Sequence, residues 1–313
     1  MRTFTALFSL CAISILAGFC ALSFGRDGFG LGENGEFLLI RLPRILGALA
    51  AGWALGIAGS AQQGLFRNPL ADPGLTGVFG GAILGVTLLL VISPDFAWNN
   101  AWAMPVAAAL GSLAAMVLLI SLGRHQSTSG LLLAGLGINA LTAAATLVMT
   151  TWAEGARSSI TTAQLGSWLG MLTLEITVVP AFLAVVAGVL LLTTAKDLDR
   201  LALGESAAQH SGTDTRRVSL RLAVLTALAA GAATCLCGQI AFIGLLAPHL
   251  ARALVGANHR WSLPAAGLIG SILLLAADTA GRTLFADRML PASAIVALIG
   301  APVFISLARR HHG

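Results

Sequence analysis

The chain has 313 residues, is 57% apolar and only 10% charged, and has a mean hydropathy of +0.88. A water-soluble domain carries about 25% charge, so an ordinary soluble fold is excluded and a bilayer is the expected solvent. The net charge of +5 does not indicate nucleic acid, because the basic residues sort by side of the membrane.

Ten apolar segments are read in chain order: 4–24, 45–65, 75–93, 102–123, 129–152, 177–195, 218–240, 243–256, 264–286 and 291–309. Arg2 before an apolar run, with Leu16–Cys20 like a displaced lipobox, invites a signal-peptide reading. The run is long enough to span and lacks a clean small-x-small cleavage site, so it is read as an uncleaved first span. The eighth segment is too short to cross alone at ~1.5 Å per residue against a ~30 Å core. It reads as a half-span or a tilted continuation of its neighbour. Gly and Pro (Pro43, Pro69, Pro105, Pro180, Pro248, Pro302) punctuate spans or their ends.

With alternating segments and an inward N-terminus, 12 of the 18 Arg and Lys residues fall on the inner side. Both termini are then cytoplasmic. Trp98, Trp102, Trp152 and Trp168 lie near the outer interface, and the loop 153–176 is external, with a short interfacial helix expected over Gln164–Gly170. The stretch 64–71 faintly echoes 244–251, as an internal duplication would.

The stretch 196–217 stands apart. It holds 8 of the 31 charged residues and falls in the cytoplasm. Two short helices are expected there. Leu201 and Leu203 lie in the first, and Gly204 breaks it. Glu205 opens the second, where its charge suits the helix dipole. Ala207 and Ala208 offer a small face for close docking, and Gly212 ends the helix. A compact charged loop between spans is a surface for a soluble partner.

Polar groups inside the apolar runs are few. Asp278 is the one carboxylate deep in a run, a functional candidate by default, and an ion pair with Arg282 one turn later is expected. Gln62, Gln63, Asn68 and Asn139 either line a path or tie helices together. His249, after Pro248, is expected to pack at a helix end, with ligation as the alternative. Cys11, Cys20, Cys235 and Cys237 lie in apolar runs and read as small hydrophobes. GxxxxGK[ST], HExxH and GxSxG are absent, so no nucleotide, zincin or serine-hydrolase chemistry is expected of this chain.

Four ordered stretches then resemble one family. Arg41–Arg44 with Gly59–Pro73 (GSAQQGLFRNPLADP), the Leu201–Glu205 segment, residues 238–260 and residues 276–302 are similar to motifs of the FecCD permeases. That family imports ferric siderophores, haem and cobalamin. The resemblance implies an all-α polytopic membrane protein of about ten transmembrane helices, like the vitamin B12 importer permease. It forms a single transmembrane domain over 1–313, with cytoplasmic coupling helices at 197–213. It also implies two permease copies forming the pore, separate ABC ATPase subunits that bind ATP-Mg and dock on the loop, and a periplasmic or lipoprotein binding protein. Arg41, Arg44 and Arg282 match the arginines that receive that protein's glutamates. Gln63, Asn68, Pro69, Pro248 and His249 are the pore and gating candidates. No cofactor or metal is expected on this chain. The expected place is the bacterial inner membrane, and the expected cargo is a ferric siderophore, with haem and cobalamin as alternatives. The Gly/Ala-rich second, third and fifth spans are expected to line a wide path. Gln62, Ala241, Met289 and Val296 depart from the family pattern, and none lies in the coupling loop. An ion-coupled secondary transporter would need a buried carboxylate or cation site and no docking loop.

Overall fold

The structure is a computed structural model and describes residues 2–25, 28–29, 36–123, 128–152, 168–284 and 290–311. Among these residues the chain forms helices α1 (Arg2–Ser23), α2 (Glu36–Leu65), α3 (Val78–Ile92), α4 (Pro94–Asn99), α5 (Ala103–Gly123), α6 (Thr128–Trp152) and α7 (Leu174–Leu192). They are followed by α8 (Ala195–Ala202), α9 (Glu205–His210), α10 (Thr215–Cys237), α11 (Ile243–Val255), α12 (His259–Thr283) and α13 (Ala292–His311). Short 3-10 turns lie at Pro73–Thr76 and Trp168–Met171, and Phe24–Gly25 pairs with Gly28–Phe29 in a two-residue antiparallel ladder.

Each of the ten apolar segments has its helix. α1, α2, α5, α6, α7, α10 and α12 are long and apolar enough to cross a membrane, and α3, α11 and part of α13 are shorter apolar helices. The boundaries differ from hydropathy for a physical reason. α10 starts at Thr215 because Asp214 caps it, accepting from the Arg217 N–H at 3.1 Å. α12 starts at His259 because Asn258 accepts from the Arg260 N–H at 2.9 Å. Caps are polar and lie outside the apolar run, so hydropathy does not register them. α11 is not a continuation of α10. Gly238 at φ +73° ends α10, and Phe242 in a left-handed conformation opens α11. Pro43, Pro180, Pro248 and Pro302 lie inside helices, and Pro69 lies in a true break. The echoing stretches differ accordingly: 64–71 leaves its helix, whereas 244–251 is helical throughout.

α2 is the hub. It packs against α12, α10, α7 and α11, while α3, α5 and α6 form a second group joined to it through α10. The face of α2 that meets α12 and α11 carries Gly52, Gly56 and Gly59, at i, i+4 and i+7. A Cβ at these positions would overlap the carbonyl oxygens of Gly270, Ala266 and Gly244 respectively. The backbones touch, as small residues allow between helices in lipid. These glycines of the second span serve close packing. α3 and α6, the third and fifth spans, border an open apolar groove of about 550 Å³ with α5.

Gly56→Ala is expected to destabilise the fold by about 1–3 kcal/mol, because the obstacle is rigid backbone. Thermal unfolding in detergent checks this, and an unshifted transition would mean that α2 and α12 separate easily.

Candidate functional site

The helix pair expected in 196–217 is present as α8 and α9. Between them Gly204 adopts φ +108°, ψ 154°, a region open essentially to glycine alone, and Gly212 follows α9 at φ +81°. Leu203 is 77% exposed, and Glu205, Ala207 and Gly212 are also exposed. Leu201 and Ala208 turn the other way and are buried. Ala207 and Ala208 therefore form no joint small face. Consecutive helical residues point about 100° apart, so one faces out while its neighbour packs inward. The pair is braced to α10: Thr215 Oγ1 accepts from Gln209 Nε2 at 3.2 Å and donates to Glu205 Oε1 at 3.4 Å.

Beside the pair lies a cleft of about 430 Å³ lined by α8, the end of α2, α11 and the start of α12. Gln63 Nε2 donates to the Gly244 carbonyl at 3.3 Å, and its Oε1 accepts from Arg252 Nη2 at 2.6 Å. Asn68 folds back to accept from the Leu70 N–H at 2.9 Å, and Pro69 follows it at the cleft. On the far wall Asp199 meets His259. Gln63, Asn68 and Pro69 thus come together. Pro248 is buried within α11, and His249 lies on the exposed face of that helix, not at a helix end. Gln62 donates to Thr76 Oγ1 and Asn139 to the Gly74 carbonyl, so both tie helices to the 73–76 turn.

The opposite end of α2 carries the arginines. Arg44 grips Asp278 with Nε and Nη2 at 2.7–2.9 Å, across 234 residues of sequence. Asp278 is 2% exposed. Arg282 is not its hydrogen-bonding partner. Its Nη2 donates to the Ala21 carbonyl, while Arg41 Nη1 donates to the Leu22 carbonyl at 2.8 Å. The three arginines do gather, but as internal stitches between α1, α2 and α12. Arg41 and Arg282 are each 5% exposed, because the helix C-terminus of α1 presents acceptors that their guanidinium groups reach first. Arg41 and Arg282 are thus buried in this chain and bonded to α1, while the Arg44 side chain keeps 15% of its surface accessible.

Asp72 is a further buried carboxylate, in the break between α2 and α3. Burial pushes its carboxyl up to about 6, partly opposed by the bond it accepts from the Gly74 N–H at 2.7 Å. It sits where α11 passes closest: a Cβ on Gly244 would meet Asp72 Oδ2 at 2.8 Å. Among the described residues no cluster of His, Cys, Asp or Glu could hold a metal ion. The expected interfacial helix over Gln164–Gly170 lies largely outside the described residues, which resume with the turn at Trp168–Met171.

Family comparison agrees with this architecture. The FecCD transport family model matches residues 4–310. The chain belongs to the FecCD transport family. It is 42% identical over 278 residues to the hemin transport system permease protein HmuU of Yersinia pestis, spanning 88% of this chain and 83% of that one. It is 35% identical over 320 residues to the vitamin B12 import system permease protein BtuC of Vibrio cholerae, covering 97% and 91%. A solved structure described as an inward-facing conformation of a metal-chelate type ABC transporter superposes with TM-score 0.85 at 28% identity, over 98% of this chain and 99% of that one.

As a FecCD permease, this chain is a polytopic membrane protein with its polar chemistry at the two ends of one helix pair. Sequence reasoning missed Asp72, Asp199, Arg252 and His259. Each lies just outside, or at the edge of, an apolar segment, where a polar residue is unremarkable until its partner is known.

Two outcomes follow. Asp278→Asn leaves the Arg44 guanidinium in a mostly buried site without its counter-charge and is expected to cost about 3–5 kcal/mol. The double change Arg44→Leu/Asp278→Leu is expected to recover much of that loss in unfolding measurements. For Asp72, the folded carboxyl holds its proton more tightly than the unfolded one at 3.8. Stability is therefore greatest below about pH 4 and falls as the pH rises to about 6, by roughly 3 kcal/mol at most. Asp72→Asn should flatten that slope in melting curves from pH 4 to 8 and raise stability at pH 7.

Proposed function

We propose that this chain is the membrane-spanning subunit of an ATP-driven importer in a bacterial inner membrane, with both termini cytoplasmic. ATP is bound and hydrolysed on separate ABC ATPase subunits that dock on α8 and α9. One observation carries this reading: an exposed helix pair, hinged at a glycine-only conformation, braced to the spans and set in a family whose relatives are named as permeases. A second copy of the chain completes the pore by family implication. A binding protein delivers cargo at the end marked by Arg41, Arg44 and Arg282, and Arg44 is the one with accessible surface, 15% of its side chain.

The cargo is a large metal chelate or tetrapyrrole. A ferric siderophore is the reading from family resemblance. Haem is the second reading, favoured by the 42% identity to a hemin permease. Uptake of iron-labelled siderophore, hemin and cyanocobalamin by proteoliposomes holding the assembled transporter separates them.

Gly204→Arg is expected to leave the permease folded yet abolish ATP-driven uptake. The glycine-only hinge must distort, and open space around it removes any clash as the cause. Normal uptake in that variant would sink the docking assignment.

A further inference from the structure

A docking pair moves the spans only if it is fastened to them. α8 buries Ala195, Leu198 and Leu201. Leu198 fills the notch left by Gly64 near the end of α2: a Cβ there would meet Leu198 Cδ2 at 2.7 Å and His259 Nε2 at 2.9 Å. Apolar contact of this kind resists compression but is non-directional and yields to sliding. The next residue supplies direction. Asp199 Oδ1 accepts from the backbone N–H of His259 at 2.9 Å and meets the ring Nδ1 of the same residue at 2.6 Å. One carboxylate oxygen thus holds the first residue of α12 at two points. Both side chains are partly shielded, His259 at 12% and Asp199 at 35% exposure, and both face the cleft rather than the outer surface of the docking pair.

α12 already has an N-cap in Asn258, so Asp199 is not needed to start the helix. From His259, α12 runs about 29 Å at ~1.5 Å per residue to Asp278, which Arg44 holds. Across the cleft Gln63 links α2 to both Gly244 and Arg252 of α11.

We propose that Asp199 and His259 form the joint through which displacement of α8 and α9 passes into α12, with the Gly64 notch and the Gln63 bonds carrying α2 and α11 along. His259 is a positioning residue for transport. The proposal rests on the reading of α8 and α9 as the ATPase-docking pair. A continuous helix bonded at both ends is the kind of contiguous element that transmits displacement between distant sites.

The test uses the permease assembled with its ATPase in proteoliposomes. Spin labels replace the exposed Phe96 and Leu284 in a background without the four native cysteines, and distances are read with and without ATP and vanadate. In His259→Ala the ATPase is expected to copurify and to continue hydrolysing ATP, while the ATP-driven shift between distance populations weakens about two- to thirtyfold. His259→Asn, which returns an N–H near the Nδ1 position, is expected to restore most of the shift. Asp199→Ala combined with His259→Ala should be no worse than either alone. A wild-type shift in His259→Ala overturns the joint and leaves the docking reading standing. Loss of ATPase binding in His259→Ala also overturns it, because the residue would then serve docking. Absence of ATPase binding in the unaltered chain overturns the docking reading itself, and the joint with it. Should the alanine variants fail to fold, Asp199→Glu keeps the charge and displaces it by one methylene. A reduced shift there supports the joint, and a full shift overturns it.

Discussion

Gly52, Gly56 and Gly59 bring α2 to backbone distance from α12 and α11, and the rest of the fold hangs on that approach. In lipid the hydrophobic effect does not drive one apolar helix onto another, so close van der Waals contact and bonds between backbones and polar side chains must hold the bundle. Glycine at this spacing supplies the contact. Across the same pair Arg44 of α2 reaches Asp278 of α12.

Polar chemistry in the molecule is sorted to those ends. At one, Arg41, Arg44 and Arg282 bind the last carbonyls of α1 and the carboxylate of Asp278. These bonds satisfy helix-terminal acceptors that would otherwise be orphaned. At the other, Gln63, Arg252, Asp199 and His259 surround a cleft beside α8 and α9. Between the ends, Ser271 Oγ of α12 donates to the Leu49 carbonyl of α2 at 2.7 Å, so the pair is bonded along its length. Asp72, in the break between α2 and α3, places a buried carboxylate beside the point where α11 crosses α2, and burial raises its pKa.

Much of this was legible in the chain. The ten apolar runs each became a helix, and the charged stretch at 196–217 became two helices broken at Gly204, because both signals are local. Hydropathy needs about 20 adjacent residues, and a glycine-only turn needs one. Helix starts were less legible. Asp214 and Asn258 begin α10 and α12 outside the apolar runs, and α2 begins well before residue 45, with Arg41, Pro43 and Arg44 inside it.

By itself, the sequence determined the solvent, the number of apolar helices, the family and the location of the exposed hinge. Only the tertiary structure decided partners. Asp278 pairs with Arg44 and not with Arg282 one turn away. Asp199 meets His259 across 60 residues, and Gln63 meets Arg252 across 189. A side chain reaches only a few ångströms, so its bond depends on which distant segment the packing brings there. In this protein that packing is set by where glycines let backbones touch.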